Sequence, residues 1–198
     1  MKPCLPVFSH IKRYQDKTNN CVAAKLLPGE FYATRQGEMI TTVLGSCVAA
    51  CIFDPSTGFG GMNHFMLPGD SSSSQDDSSA RYGLFAMESL INEILKCGCS
   101  KKNLQVKLFG GGAIIENMSD IGKKNVHFAK TFLFSEGLEL AGSDVGSIYP
   151  RKVNFFPSTG KAMVKRLRTM HNSTIQDRER QYFNSLKKKD TSGEVELF

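Results

Sequence analysis

Nowhere in this chain of 198 residues do eighteen apolar residues follow one another, so no bilayer-spanning helix is encoded. The N-terminus, Met-Lys-Pro-Cys-Leu-Pro-Val-Phe-Ser-His, lacks an apolar run ending in a cleavage site, and a cytoplasmic location is expected. Without an export signal, the six cysteines are expected to be reduced thiols rather than a disulfide framework. Zinc-finger spacing is missing too: a single residue separates Cys97 from Cys99 and no histidine stands at a finger interval, so no metal is expected. Gly110, Gly111 and Gly112 lie in neither the Walker nor the dinucleotide spacing, which leaves a tight turn and no nucleotide cofactor. No basic helix or aromatic platform sits among the cations, so a nucleic-acid partner is not expected. No internal repeat is visible.

What is present is enough apolar residue, 40%, to bury a core in one domain. The net charge of +6 is unevenly placed: +4 over residues 1 to 36, −4 over 37 to 150, +6 over 151 to 168 and zero beyond. Arg151, Lys152, Lys161, Lys165, Arg166 and Arg168 read first as a solvated hairpin face and second as a docking surface for an acidic partner.

Residues 1–29 mix charge and proline with little periodicity and read as an N-terminal arm, with an edge strand at 31 to 34. Three runs follow, 39 to 44, 48 to 53 and 58 to 67, rich in β-branched and apolar residues and parted by short links. They read as an antiparallel meander. Residues 69–80, serine- and aspartate-rich, read as a flexible loop. Helical spacing covers 81 to 97 before Gly98, and 121 to 136 before Gly137, with Ser119 or Asp120 at the second N-terminus. Strands are expected at 104 to 109, around 138 to 145 and near 152 to 156, the last turning into 162 to 167. Residues 169–198 form a polar tail with at most a short helix around 176 to 186. The fold class expected is α/β in the α+β sense, a layered sandwich of a largely antiparallel sheet with two main helices over residues 30–168.

Two residues carry the chemistry. Cys47 stands at the mouth of a strand after Gly45, where the backbone bends closely and leaves amides free to face an oxyanion. His64 lies seventeen residues on, and a hairpin between them brings thiol and imidazole together, the pairing that makes a thiolate nucleophile. Thr41, counted by twos through Val43 and Gly45 to Cys47, shares that face and is the candidate to orient the ring, with Thr42 on the other side. Cysteine and histidine are more often core residues than catalysts, and Cys51 is the expected inert core thiol. His10, His127 and His171 have no cysteine or carboxylate at a telling interval.

Seven stretches in order carry a resemblance: Leu-Gly-Ser-Cys-Val-Ala-Ala-Cys-Ile-Phe-Asp-Pro (44 to 55), Gly-Gly-Met-Asn-His-Phe-Met-Leu-Pro (60 to 68), the helix from Tyr82 to Lys96, Lys-Leu-Phe-Gly-Gly-Gly-Ala (107 to 113), Ile-Gly-Lys-Lys-Asn-Val (121 to 126), Gly-Ser-Asp-Val-Gly (142 to 146) and Pro-Arg-Lys-Val-Asn-Phe-Phe-Pro-Ser-Thr-Gly (150 to 160). Together they closely resemble the CheD family of chemoreceptor glutamine deamidases. The resemblance implies an α/β sandwich related in its active site to deamidating toxins, and hydrolysis of receptor glutamines to glutamate without metal or organic cofactor. It places the family's cysteine, histidine and threonine on Cys47, His64 and Thr41. The implied partners are the cytoplasmic helices of methyl-accepting chemotaxis receptors and a CheC-type phosphatase. A non-enzymatic adaptor and a thiol peptidase are the competing classes.

Overall fold

The computed structural model describes residues 5–68, 76–114, 119–168 and 173–190. Two five-stranded sheets form the body. The first runs in the order β1 (Lys12–Asp16), β2 (Cys21–Lys25), β4 (Met39–Leu44), β9 (Arg151–Phe156) and β10 (Lys161–Arg166). In the second, the order is β3 (Phe31–Thr34), β6 (Phe59–Asn63), β5 (Val48–Asp54), β7 (Gln105–Gly110) and β8 (Glu139–Val145). Neighbours are antiparallel except β2 with β4 and β7 with β8. The layered α/β sandwich expected from the sequence is what forms.

Burial patterns show the layering. Every residue of β5 is buried, as a continuous apolar run at the centre of the second sheet requires. β9 alternates instead, with Arg151, Val153 and Phe155 inward. The rings of Phe53 and Phe155 meet across the two sheets, with centroids 6.0 Å apart. Two helices, α1 (Asp76–Lys96) and α2 (Ser119–Ser135), pack on the second sheet. From α1, Met87, Leu90, Ile91 and Ile94 enter the core at helical spacing. A third helix, α3 (Ser173–Asp190), is seated by Ile175, which packs with Ile114, Leu167 and Val43, and by Phe183 in the main core.

Several expectations are corrected here. The three runs from 39 to 67 are not one meander: β5 and β6 form a hairpin, but β4 lies in the other sheet, paired with β9. The chain changes sheets through the bend at Gly45 and Ser46, and a corner of that kind has no periodic signature. Residues 1–29 are not an arm throughout, since β1 and β2 complete the first sheet and Phe8, Ile11, Ala24 and Leu26 join the core. Of the segment 69–80, residues 69–75 lie outside the described ones and 76–80 are already helix. The tail carries a long, docked helix rather than a short loose one. Arg151 is not on a solvated face: it is 0% exposed, bonding the Gly110 carbonyl at 3.2 Å and the Asp144 carboxylate at 3.1 Å. Among the described residues no helix is long and apolar enough to cross a membrane.

Candidate active site

Cys47 immediately precedes β5 and His64 immediately follows β6, so the hairpin's two outer ends carry the two groups to one place. Paired backbone bonds between Val48 and Phe65, both 2.9 Å, close the hairpin beside them. The Cys47 sulfur, a ring nitrogen of His64 and a carboxylate oxygen of Glu179 lie within 4.8 Å of one another. All three side chains are buried.

The hydroxyl in contact with the ring is that of Thr42, not Thr41. Thr42 Oγ1 sits 2.8 Å from His64 Nδ1 and donates its hydrogen to the Leu26 carbonyl at 2.9 Å. A hydroxyl has one hydrogen, so toward the ring it accepts; Nδ1 carries the ring proton and Nε2 holds the bare lone pair. Nε2 has no hydrogen-bond partner among the described residues. Thr41 points to the other side of β4, where it donates to Asn154 Oδ1 at 2.7 Å. The physical reason is the same corner: β4 ends at Leu44, and the bend breaks the count by twos that put Thr41 with Cys47. In register with β9, Thr42 lies opposite inward-facing Val153 and Thr41 opposite outward-facing Asn154.

A cradle of backbone amides lies beside the thiol. The Gly45, Ser46 and Cys47 N–H groups converge on the Glu179 carboxylate, at 2.8, 2.7 and 3.3 Å, and the Ser46 hydroxyl adds a bond of 2.6 Å. Their direction is fixed from behind, because the carbonyl of each peptide unit points opposite to its N–H. Gly112 N–H holds the Gly45 carbonyl at 2.7 Å, which turns the Ser46 N–H into the cradle. Asn125 Nδ2 on α2 holds the Ser46 carbonyl at 2.9 Å, which turns the Cys47 N–H the same way. The Asn125 Oδ1 accepts from Leu67 N–H at 2.8 Å, tying the cysteine loop to the segment after β6 that carries His64.

The glycine run that begins at the last residue of β7 makes this approach possible. At Gly110, with φ of 109°, a Cβ would stand 2.1 Å from the Cys47 carbonyl oxygen. At Gly45 a Cβ would collide with Ile114 and with the Glu179 carboxylate, so only glycine leaves the cradle open.

Burial pushes the Cys47 thiol well above its ordinary value; the Glu179 charge and its hydrogen bond from the thiol push the same way, while Arg178 opposes them. Burial also lowers His64 to about 3, with the Arg178 cation adding to it. Both groups are therefore neutral at pH 7 in this state. Cys51, four residues on, is buried and pushed up by burial with no such partners, as an inert thiol should be. Cysteine, histidine and carboxylate could together ligate a metal ion, but both Glu179 oxygens are committed to the amide cradle.

Asn125 and Glu179 were not found in the sequence. Asn125 lies in one of the stretches that carry the resemblance, but a polar residue on a helix gives no sign that it faces inward. Glu179 had a sign: with Ile175, Phe183 and Leu186 it completes one buried helical stripe, and an acid in the middle of such a stripe needs a partner.

A neutral thiol beside an imidazole whose tautomer is fixed, with amides converging on a carboxylate within 4.8 Å of the sulfur, defines the class: a cysteine-nucleophile site built for acyl transfer. Residues 66–166 match the family model described as CheD chemotactic sensory transduction. The chain is 49% identical over 98% of its length to a protein of Halorhodospira halophila, 93% of which is covered. It is 51% identical to one of Methylobacillus flagellatus, over 93% of this chain and 94% of that one. A Shewanella oneidensis protein is 46% identical, over 100% of this chain and 98% of that one. The first two are named probable chemoreceptor glutamine deamidase CheD and the third probable chemoreceptor glutamine deamidase CheD 1. This chain belongs to the CheD family.

Proposed function

We propose that this protein is a chemoreceptor glutamine deamidase, hydrolysing selected glutamine side chains of methyl-accepting chemotaxis receptors to glutamate with release of ammonia. The observation that carries the reading is the Cys47 sulfur lying within 4.8 Å of a His64 ring nitrogen and of the Glu179 carboxylate, on which the backbone amides of residues 45 to 47 converge. With substrate bound, the bare Nε2 of His64 takes the thiol proton and the sulfur attacks the carboxamide carbon. The oxygen, now bearing charge, is held by the amides of the 45–47 loop. The imidazolium protonates the departing nitrogen, and water activated by the same ring then releases glutamate from the thioester.

In this scheme Cys47 is the nucleophile, His64 the acid and base, and Thr42 the residue that positions the ring. Thr41, the position that the resemblance suggests, supports β4 against β9 instead. No step requires a metal or an organic cofactor. The substrate elements are the cytoplasmic helices of the receptors, and the protein acts in the cytoplasm; a CheC-type phosphatase is a second partner consistent with family membership. The test is ammonia release from a receptor cytoplasmic fragment by the parent protein. Cys47→Ser should release none, and equal release by both would overturn the reading.

A further inference from the structure

Glu179 stands where a deamidase would bind its substrate. Its Oε1 accepts from the Gly45 and Cys47 amides and its Oε2 from the Ser46 amide and hydroxyl, all from a side chain with 0% exposure. It is a glutamate, the product of glutamine hydrolysis. It is presented by a helix, with Ile175 and Phe183 buried four residues to either side. The backbone of the 43–47 segment and its neighbours holds that helix in place: Arg178 bonds the Val43 carbonyl at 3.0 Å and Gln176 bonds the Ile114 carbonyl at 2.6 Å. While α3 is seated, Cys47 is wholly covered and no carboxamide from another protein can reach it. A cleft of about 350 Å³ reaches His64 beside this seat, with Tyr82 of α1 on one wall and Tyr182 and Leu186 of α3 on the other, so the departure of α3 would open the cleft onto the thiol.

We propose that the seat of α3 is the site that receives the glutamine-bearing helix of the substrate, and that Glu179 fills it as a tethered product. The proposal rests on the deamidase reading and adds the recognition rule: a helical segment whose glutamine has apolar residues four positions before and after it. It also accounts for the strength of the plug. A carboxylate satisfies all three amides and the hydroxyl, whereas a carboxamide turns its NH2 toward the Ser46 N–H and loses that bond. Glutamine therefore sits less firmly than glutamate, and a free substrate competes with α3 for one cradle. The activity of the parent is then scaled down to the fraction of time α3 is away.

A glutamine at position 179 would be a substrate in the same chain. The Cys47 sulfur bonds to Cδ, the C–N bond breaks, and the nitrogen leaves as ammonia with the thiol proton carried by His64. A water oxygen then bonds to Cδ, the sulfur leaves and regains a proton, and residue 179 becomes glutamate.

The experiment uses three full-length variants, Glu179→Gln, Glu179→Gln with Cys47→Ser, and Glu179→Ala, each checked for folding by circular dichroism. Peptide mass spectrometry should find the Glu179→Gln single variant about 1 Da heavier at residue 179, at purification or after incubation, and the double variant unchanged. Glu179→Ala should be alkylated at Cys47 by iodoacetamide, and should deamidate a receptor fragment, about tenfold faster or more than the parent. If the glutamine introduced by Glu179→Gln persists in a chain that still deamidates the receptor fragment, and Glu179→Ala is no faster than the parent, the proposal fails and the deamidase reading stands. If alkylation of Glu179→Ala quickens but neither it nor the parent converts the receptor fragment, the deamidase reading fails, and the substrate role of the seat with it.

Discussion

Thr41 and Thr42 are adjacent, chemically identical and both buried, yet one faces the imidazole and the other faces Asn154. Which is which depends on where β4 ends, not on what the residues are. Thr42→Val should lower kcat on a receptor fragment roughly tenfold or more, because the ring loses the acceptor that fixes its tautomer. Thr41→Val should leave kcat within about twofold, since its hydroxyl is spent on β9. Steady-state kinetics of the two variants side by side decide the assignment, and a reversed pattern would return the role to Thr41. At this scale the sequence was informative about Cys47 and His64, because their separation matches a hairpin whose ends meet. It put Thr41 rather than Thr42 beside the ring because alternation was carried through a bend that ends it.

Among the elements, the cysteine loop is held by α2 from behind and occupied by α3 in front. Asn125 is the clearest case of a helix acting on the site without touching the reacting atoms. Asn125→Ala should remove the bond that turns the Cys47 N–H into the cradle, lowering kcat by tenfold or more while KM changes little. It should also cost about 1–3 kcal/mol of stability, since the Ser46 carbonyl and Leu67 N–H lose a buried partner. Kinetics with a urea titration separate the two effects, and a stability loss with unchanged kcat would make the residue purely structural. Helices α1 and α2 and most strands were legible from apolar periodicity and glycine stops. The switch of β4 into the other sheet was not, because a sheet corner depends on long-range pairing with β9. The docking of α3 was hidden by a polar composition in which only one stripe turns inward.

For the whole molecule, the buried neutral imidazole links stability to pH. His64 is lowered to about 3 in the folded chain against 6.5 ordinarily, so below about pH 6.5 the unfolded chain takes up a proton there that the folded chain refuses. The contribution is complete above about pH 6.5 and drains away as the pH falls toward 3. Between pH 7 and pH 5 this amounts to about 2 kcal/mol. Urea midpoints should fall over that interval in the parent and fall much less in His64→Gln, and equal slopes would contradict a buried neutral His64. The assignment of residues 1–29 to an arm failed at this same scale. Charge and proline do suggest a solvated segment, but β1 and β2 belong to the first sheet, Ala24 of β2 joins the core, and Leu26 supplies the carbonyl that fixes Thr42.

In the proposed mechanism Cys47 converts receptor glutamine to glutamate. The most direct measurement is peptide-resolved mass spectrometry of a receptor cytoplasmic fragment incubated with the parent or with Cys47→Ser. The parent should leave chosen glutamines about 1 Da heavier and the variant should leave the fragment unaltered. Glutamines untouched by both the parent and Glu179→Ala, or converted equally by Cys47→Ser, would contradict that mechanism.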